Sequence, residues 1–151
     1  MMNANIAPAF GEQETLLDSG AVEYLFPVHT DTRGKLSAGE FQRDIPFVPL
    51  RYFMVNEVPP NEVRGEHAHL KCKQFLICAS GSCEVITDNG RSKSITVLDG
   101  INKGLFIPEM VWGVQHRYTA GSTLIVFASE HYSSEDYIRN YSHYLSMVLG
   151  D

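Results

Sequence analysis

The chain has no basic run. Its 151 residues carry 12 Lys and Arg against 18 Asp and Glu, for a net charge of -6 and a pI near 5.4. The electrostatic footprint of a nucleic-acid binder is therefore missing, and any anionic ligand must be held by a few placed arginines. No apolar run approaches the roughly 18 residues of a membrane span, and the first residues lack the basic start and long apolar stretch of a signal peptide. A soluble, cytoplasmic protein is expected. Cysteine is scarce: Cys72, Cys78 and Cys83 are the three present. They show no CxxC spacing, and their odd count argues against a disulfide framework, which leaves reduced, buried thiols. No GxSxG occurs, so serine-nucleophile chemistry of the hydrolase kind has no support.

What the chain does have is core material and punctuation. With 44% hydrophobic residues, it is long enough to bury one core of its own. Residues 1–19 are polar and irregular and read as a loose arm, with one domain over 20–151. Val22 to Val28 reads as a strand, followed by the turn Asp31-Thr32-Arg33-Gly34 and a second strand from Lys35 to Phe41. Arg51 to Val58, Lys73 to Ala79, Cys83 to Thr87, Ser92 to Leu98, Gly104 to Ile107, Val111 to Tyr118 and Thr123 to Ser129 follow, separated by Gly, Pro and Asn-Gly turns. Short strands at this spacing predict an all-β sandwich or barrel of roughly ten strands. Near the end the period changes. Tyr137, Ile138, Tyr141, Tyr144, Leu145 and Val148 recur at helical spacing, with Ser133 and Asp136 as a capping box, so one terminal amphipathic helix is predicted, its aromatic stripe packed on the barrel or on a second subunit.

The chemistry concentrates in Arg64-Gly65-Glu66-His67-Ala68-His69. Side chains alternate along a strand, so His67 and His69 project from one face. Gly65 and Ala68 leave room for a ligand and Arg64 adds a positive charge. A pair of imidazoles suits general acid/base work near neutral pH, because one charged ring lowers the pKa of its neighbour and keeps it available as a base. An HxH pair can also be two legs of a metal site, but Lys73 and Gln74 stand where a carboxylate ligand would be wanted and His116 is the imidazole nearest Trp112-Gly113 in the later strand. The donor set does not close.

Taken in order, Asp31-Thr32-Arg33-Gly34 with Leu36 and Glu40, Ile45-Pro46-Phe47, Arg51, Arg64-Gly65, His67-Ala68-His69, Gln74, Gly81-Ser82, Gly104-Leu105, Trp112 and Asp136-Tyr137-Ile138-Arg139 with Tyr141 resemble the cupin-fold sugar-nucleotide 3,4-ketoisomerases, the WxcM-like family acting on dTDP-4-keto-6-deoxyglucose. The resemblance implies a jelly-roll barrel with one C-terminal helix, a homodimer with exchanged N-terminal strands, and no metal or organic cofactor. It implies that His67 and His69 are the catalytic pair moving a proton from C3 to C4 through an enediol. It also implies that Arg33, Arg51 and Arg64 hold the diphosphate or polarise sugar oxygens, that Gln74 is a hydrogen-bond partner and that Trp112 is an apolar wall. The sequence departs from that pattern at Phe53 and Met54, where tyrosine is common, at Leu70 for lysine and at Gly113 for histidine. A sugar-nucleotide 3,5-epimerase and a non-catalytic sugar-nucleotide-binding cupin are the rival expectations.

Overall fold

A computed structural model describes residues 13–150. In chain order the strands are β1 (Gln13–Leu16), β2 (Val22–Leu25), β3 (His29–Asp31), β4 (Gly34–Leu36), β5 (Arg51–Asn56), β6 (Arg64–His69), β7 (Gln74–Ser80), β8 (Cys83–Asp88), β9 (Lys93–Leu98), β10 (Lys103–Ile107), β11 (Trp112–His116), β12 (Thr123–Ala128) and β13 (Tyr137–Ile138), and α1 (Tyr141–Leu149) ends the described chain. Two antiparallel sheets carry the fold. One has the order β1-β2-β10-β7-β12-β5, the other β13-β6-β11-β8-β9, and β3-β4 stands apart as a hairpin. The non-sequential orders, with β10 between β2 and β7 and β11 between β6 and β8, are those of a jelly roll. The expected all-β architecture with a single C-terminal helix is the one observed.

The core lies between the sheets and takes alternate residues from both. Val55, Leu76, Leu105, Leu124 and Val126 come from the first sheet, and Val85 and Leu98 from the second, all buried. Cys78 and Cys83 are free thiols within this core and Cys72 is a third, also buried. A second apolar cluster occupies the outer face of the six-stranded sheet, where Tyr24, Phe26, Phe75 and Phe106 are covered by Ile45 and Phe47. The segment read as a strand to Phe41 is mostly this cover. Pairing stops at Leu36, and the Glu40 carbonyl accepts from the N–H groups of Asp44 and Ile45 in a tight turn.

Two further expectations change. Gln13–Leu16 lies inside the stretch read as an irregular arm, yet it pairs residue for residue with Val22–Leu25. All four of its residues are exposed, so backbone pairing holds it and no apolar alternation announces it; residues 1–12 lie outside the described chain. The helix starts later than the Ser133–Asp136 pattern suggests. Ser133 opens only a single 3-10 turn and makes no side-chain cap bond. Asn140 caps α1 instead, its side chain accepting from the His143 N–H, and Gly150 ends the helix at φ 80°. The aromatic stripe packs on the five-stranded sheet, with Tyr144 fully buried and its hydroxyl donating to the carbonyls of Asp88 and Met110 at 2.8 and 2.9 Å.

Candidate active site

β6 is paired on one side with β11 and on the other with β13. Against β11 its register slips: Gly113 faces His67, Val114 faces Gly65 and Gln115 faces Arg64, so Glu66 has no partner of its own. Gly65 and Glu66 both take positive φ, 86° and 59°. The extra residue is a β-bulge, and its effect is to re-aim one side chain. Strict alternation would send Arg64 to the face opposite His67. With one residue bulged out, Arg64 and His67 share a face. The close approach needs glycine at 65, since a Cβ there would come within 2.9 Å of the Gly113 carbonyl oxygen.

The two imidazoles meet edge to face with centroids 4.9 Å apart, and the Tyr137 ring caps both, at 4.8 Å from His67 and 4.4 Å from His69. Each ring is held through Nδ1. His67 Nδ1–H donates to the Gly65 carbonyl at 3.0 Å, and His69 Nδ1–H donates to the Asp136 carboxylate at 2.8 Å. Asp136 is itself fixed by the backbone N–H groups of Lys71 and Cys72. An acceptor on Nδ1 fixes the tautomer and leaves Nε2 with its lone pair. His69 Nε2 is buried with no partner among the described residues. Burial, and then the neighbouring His69, push the His67 pKa down to about 4; burial also lowers that of His69, against the opposing pull of Asp136. Both rings are thus neutral at neutral pH, and His67 in particular is a free base.

His67 lines a cleft of about 320 Å³ whose walls include Arg51, Arg64, Arg139, Gln74, Gln115 and Tyr137, and both imidazoles line the narrower pocket at its floor. Three arginines in a chain of net negative charge make this mouth suited to an anion, and guanidinium groups bind phosphate oxygens bidentately. Arg51 donates from Nε to the Glu130 carbonyl at 3.1 Å and lies 5.5 Å from the rings of Phe53 and Tyr132. Arg139 stacks on Tyr137 at 4.3 Å. Among the described residues His69, Cys72 and Asp136 form one group able to hold a metal ion, with donor atoms within 4.8 Å of one another. The Asp136 oxygens, however, are already taken by three N–H donors, the arrangement of a carboxylate that positions a histidine.

The family model "FdtA: WxcM-like, C-terminal" matches residues 22–149. The chain belongs to this WxcM-like family. It is 38% identical over 118 residues to a TDP-4-oxo-6-deoxy-alpha-D-glucose-3,4-oxoisomerase of Aneurinibacillus thermoaerophilus, covering 78% of this chain and 85% of that one. Among solved structures it is similar to a 3,4-ketoisomerase from Helicobacter canadensis, with TM-score 0.81 and 36% identity over 85% of this chain and 97% of the other. It is likewise similar to a histidine-to-asparagine variant of the 3,4-ketoisomerase QdtA from Thermoanaerobacterium thermosaccharolyticum, in complex with TDP-4-keto-6-deoxyglucose, with TM-score 0.82 and 33% identity over 86% and 94% of the two chains.

In this WxcM-like chain the structure brings together His67, His69, Arg51, Arg64 and Gln74 of the residues singled out in the sequence. It does not bring Arg33, which lies on the β3-β4 hairpin, 88% exposed and paired with Asp31 at 2.7 Å. Nor does it bring Trp112. That ring packs against Tyr141 and Tyr144 beneath α1, because it precedes Gly113 in β11 and alternation gives the two residues opposite faces. Phe53, where a phenol was missed, lies in the cleft wall. The sequence pattern gave Asp136 to a helix cap and Tyr137 to a helical stripe, and it placed none of Asp136, Tyr137, Arg139 or Gln115 in the site. The first three fall in a stretch read as the start of a helix; treated as a strand, its alternation puts Tyr137 and Arg139 together, with Ile138 buried behind them.

Proposed function

We propose that the protein is a sugar-nucleotide 3,4-ketoisomerase, converting TDP-4-keto-6-deoxyglucose to the TDP-3-keto-6-deoxyhexose by proton transfer between carbons 3 and 4. The observation that carries this reading is the neutral His67 ring, its Nδ1–H tied to a backbone carbonyl and its Nε2 left as a base in an arginine-lined cleft. In the reaction the C3–H bond breaks and the proton goes to His67 Nε2. The C3–C4 double bond forms as the carbonyl pair moves onto the C4 oxygen. The C3 hydroxyl proton passes to the C4 oxygen, the proton held on His67 Nε2 is delivered to C4 as the C3 carbonyl forms, and the ketone has moved by one carbon with no net oxidation. His69, its Nδ1–H held by Asp136, relays the hydroxyl proton through its bare Nε2. Arg51, Arg64 and Arg139 hold the diphosphate, and Gln74 contacts the sugar. No organic cofactor or metal enters this sequence of steps.

The finer parts of the reading are a cytoplasmic enzyme of deoxysugar and polysaccharide precursor synthesis, acting as a homodimer with exchanged N-terminal strands. Support for the dimer is the exposed edge strand β1, with Leu16 73% exposed, and the uncovered apolar side chains Tyr52 and Met54 on the opposite edge. Arg33 serves the substrate only from a partner's side of such a dimer. Sedimentation of the protein gives its mass in solution. The activity is tested by proton NMR of TDP-4-keto-6-deoxyglucose with the protein in deuterated water. Loss of the C3 proton signal with a carbonyl appearing at C3 is the expected result. Deuterium at C3 and C5 with the ketone still at C4 would instead make it a 3,5-epimerase, and binding without exchange would make it a carrier or sensor of the nucleotide sugar.

A further inference from the structure

The isomerisation leaves negative charge on the C4 oxygen when the C3 proton departs, and that oxygen needs a donor already aimed at it. His67 is occupied as the base. Gln115 lies beside it: Gln115 and His67 both line the narrow floor of the cleft and the wider mouth above it. Gln115 is 9% exposed and lies on the same face of β11 as Gly113, which pairs with His67. The two ends of its amide are not equivalent. Tyr118 donates its hydroxyl to Gln115 Oε1 at 3.2 Å, and the Tyr118 ring packs against the core between the sheets. Burial raises the Tyr118 pKa further above neutral, so the phenol keeps its proton and stays a donor. With Oε1 engaged from the core side, Nε2 and its two hydrogens are turned toward β6. There Nε2 lies 3.5 Å from the place a Cβ of residue 65 would occupy, with no side chain at Gly65 to cover it. Gln74, the amide singled out in the sequence, has no comparable clamp among the described residues.

We propose that Gln115 is the donor that stabilises the enediolate oxygen, and that Tyr118 is a positioning residue that keeps the Gln115 amide from flipping. This rests on the ketoisomerase reading. The test compares wild type, Gln115→Met, Gln115→Glu, Tyr118→Phe and the Gln115→Met/Tyr118→Phe double variant, using TDP-4-keto-6-deoxyglucose with protium or deuterium at C3. TDP affinity serves as the check that each cleft is intact. Removing a donor to a developing oxyanion typically costs about 100- to 1,000-fold in kcat. Gln115→Met and Gln115→Glu are expected to lose about that much, with TDP affinity unchanged and a larger C3 deuterium isotope effect as proton abstraction becomes slower. Tyr118→Phe is expected to lose less, roughly tenfold, and to add nothing in the double variant, since coupled residues are non-additive. If one Gln115 variant fails to fold, the other carries the test. Gln115 variants within about threefold of wild-type kcat, beside a dead His67→Asn, would overturn the assignment while leaving the isomerase intact. Independent, multiplicative losses would overturn the role of Tyr118. A wild-type protein that moves no C3 proton would sink the parent reading and this one with it.

Discussion

The two faces of β6 and β11 are built from alternating residues of the same strands and do opposite things. The inner face presents Arg64, His67, His69 and Gln115 to the cleft and its floor, the two imidazoles and the Gln115 amide held in place at one end and left open at the other. The outer face presents Ala68 and Trp112, which close-pack with Ile138 and Tyr144 beneath α1 and hold no lone pair in reserve. One face is positioned for a ligand and the other is satisfied without one. The lesson is that neighbouring residues, one place apart in sequence, divide chemistry from stability. Substitutions on the two faces should therefore separate cleanly.

The largest expected effect is on the inner face. His67→Asn keeps a polar side chain of similar reach but has no base, and should cost about 100- to 10,000-fold in the rate of C3 proton exchange, with the melting temperature little changed. Next in size, Trp112→Ala or Tyr144→Ala on the outer face should lower the unfolding free energy by about 3–5 kcal/mol, measured by denaturant titration. The exchange rate per folded molecule should stay within a few-fold. A Trp112→Leu protein with normal stability but weakened TDP binding would break the comparison, because it would put that ring in contact with ligand.

The comparison can be sharpened with pH. An ordinary histidine base would give kcat/KM an acid limb near pH 6.5; burial and His69 hold His67 near 4, so the limb should lie near pH 4 and activity should be flat from there to neutrality. The same shift acts on stability. Between the unfolded value of about 6.5 and the folded value of about 4, the unfolded chain binds more protons, so the His67 contribution is fully present above about pH 6.5 and is lost as pH falls toward 4. Denaturant midpoints across that window check it, and His67→Asn should flatten the slope.

Much of this division was legible in the sequence, and the exceptions have physical reasons. Alternation in Arg64–His69 put both imidazoles on one face, and Gly and Asn-Gly turns marked the strands that frame them. Trp112 was assigned to the ligand although its immediate neighbour, Gly113, is the residue that faces His67. Period two alone sets those two apart, once Gly113 is known to look inward. Asp136 was read as a helix cap because Ser-x-x-Asp is a local pattern, whereas its real partner, His69, is 67 residues away and no local rule reaches it. Gln115 carried no signal at all. An amide in a strand is ordinary until Tyr118, three residues on, is seen to hold one end of it.

The smallest expected effect tests the bulge that lets Arg64 join the inner face. Glu66 sits at φ 59°, a conformation that costs an ordinary residue about 1–2 kcal/mol, and glycine would relieve it. Glycine also loses more freedom on folding, roughly 0.5–1 kcal/mol. The two partly offset, so Glu66→Gly should shift the unfolding free energy by no more than about 1.5 kcal/mol, toward greater stability. The residue count is unchanged, the bulge remains and Arg64 still faces His67, so both TDP affinity and C3 exchange should match wild type. A loss of TDP affinity in Glu66→Gly at unchanged stability would mean that the glutamate itself meets the ligand, and that the bulge matters for the side chain it ejects as well as for the one it re-aims.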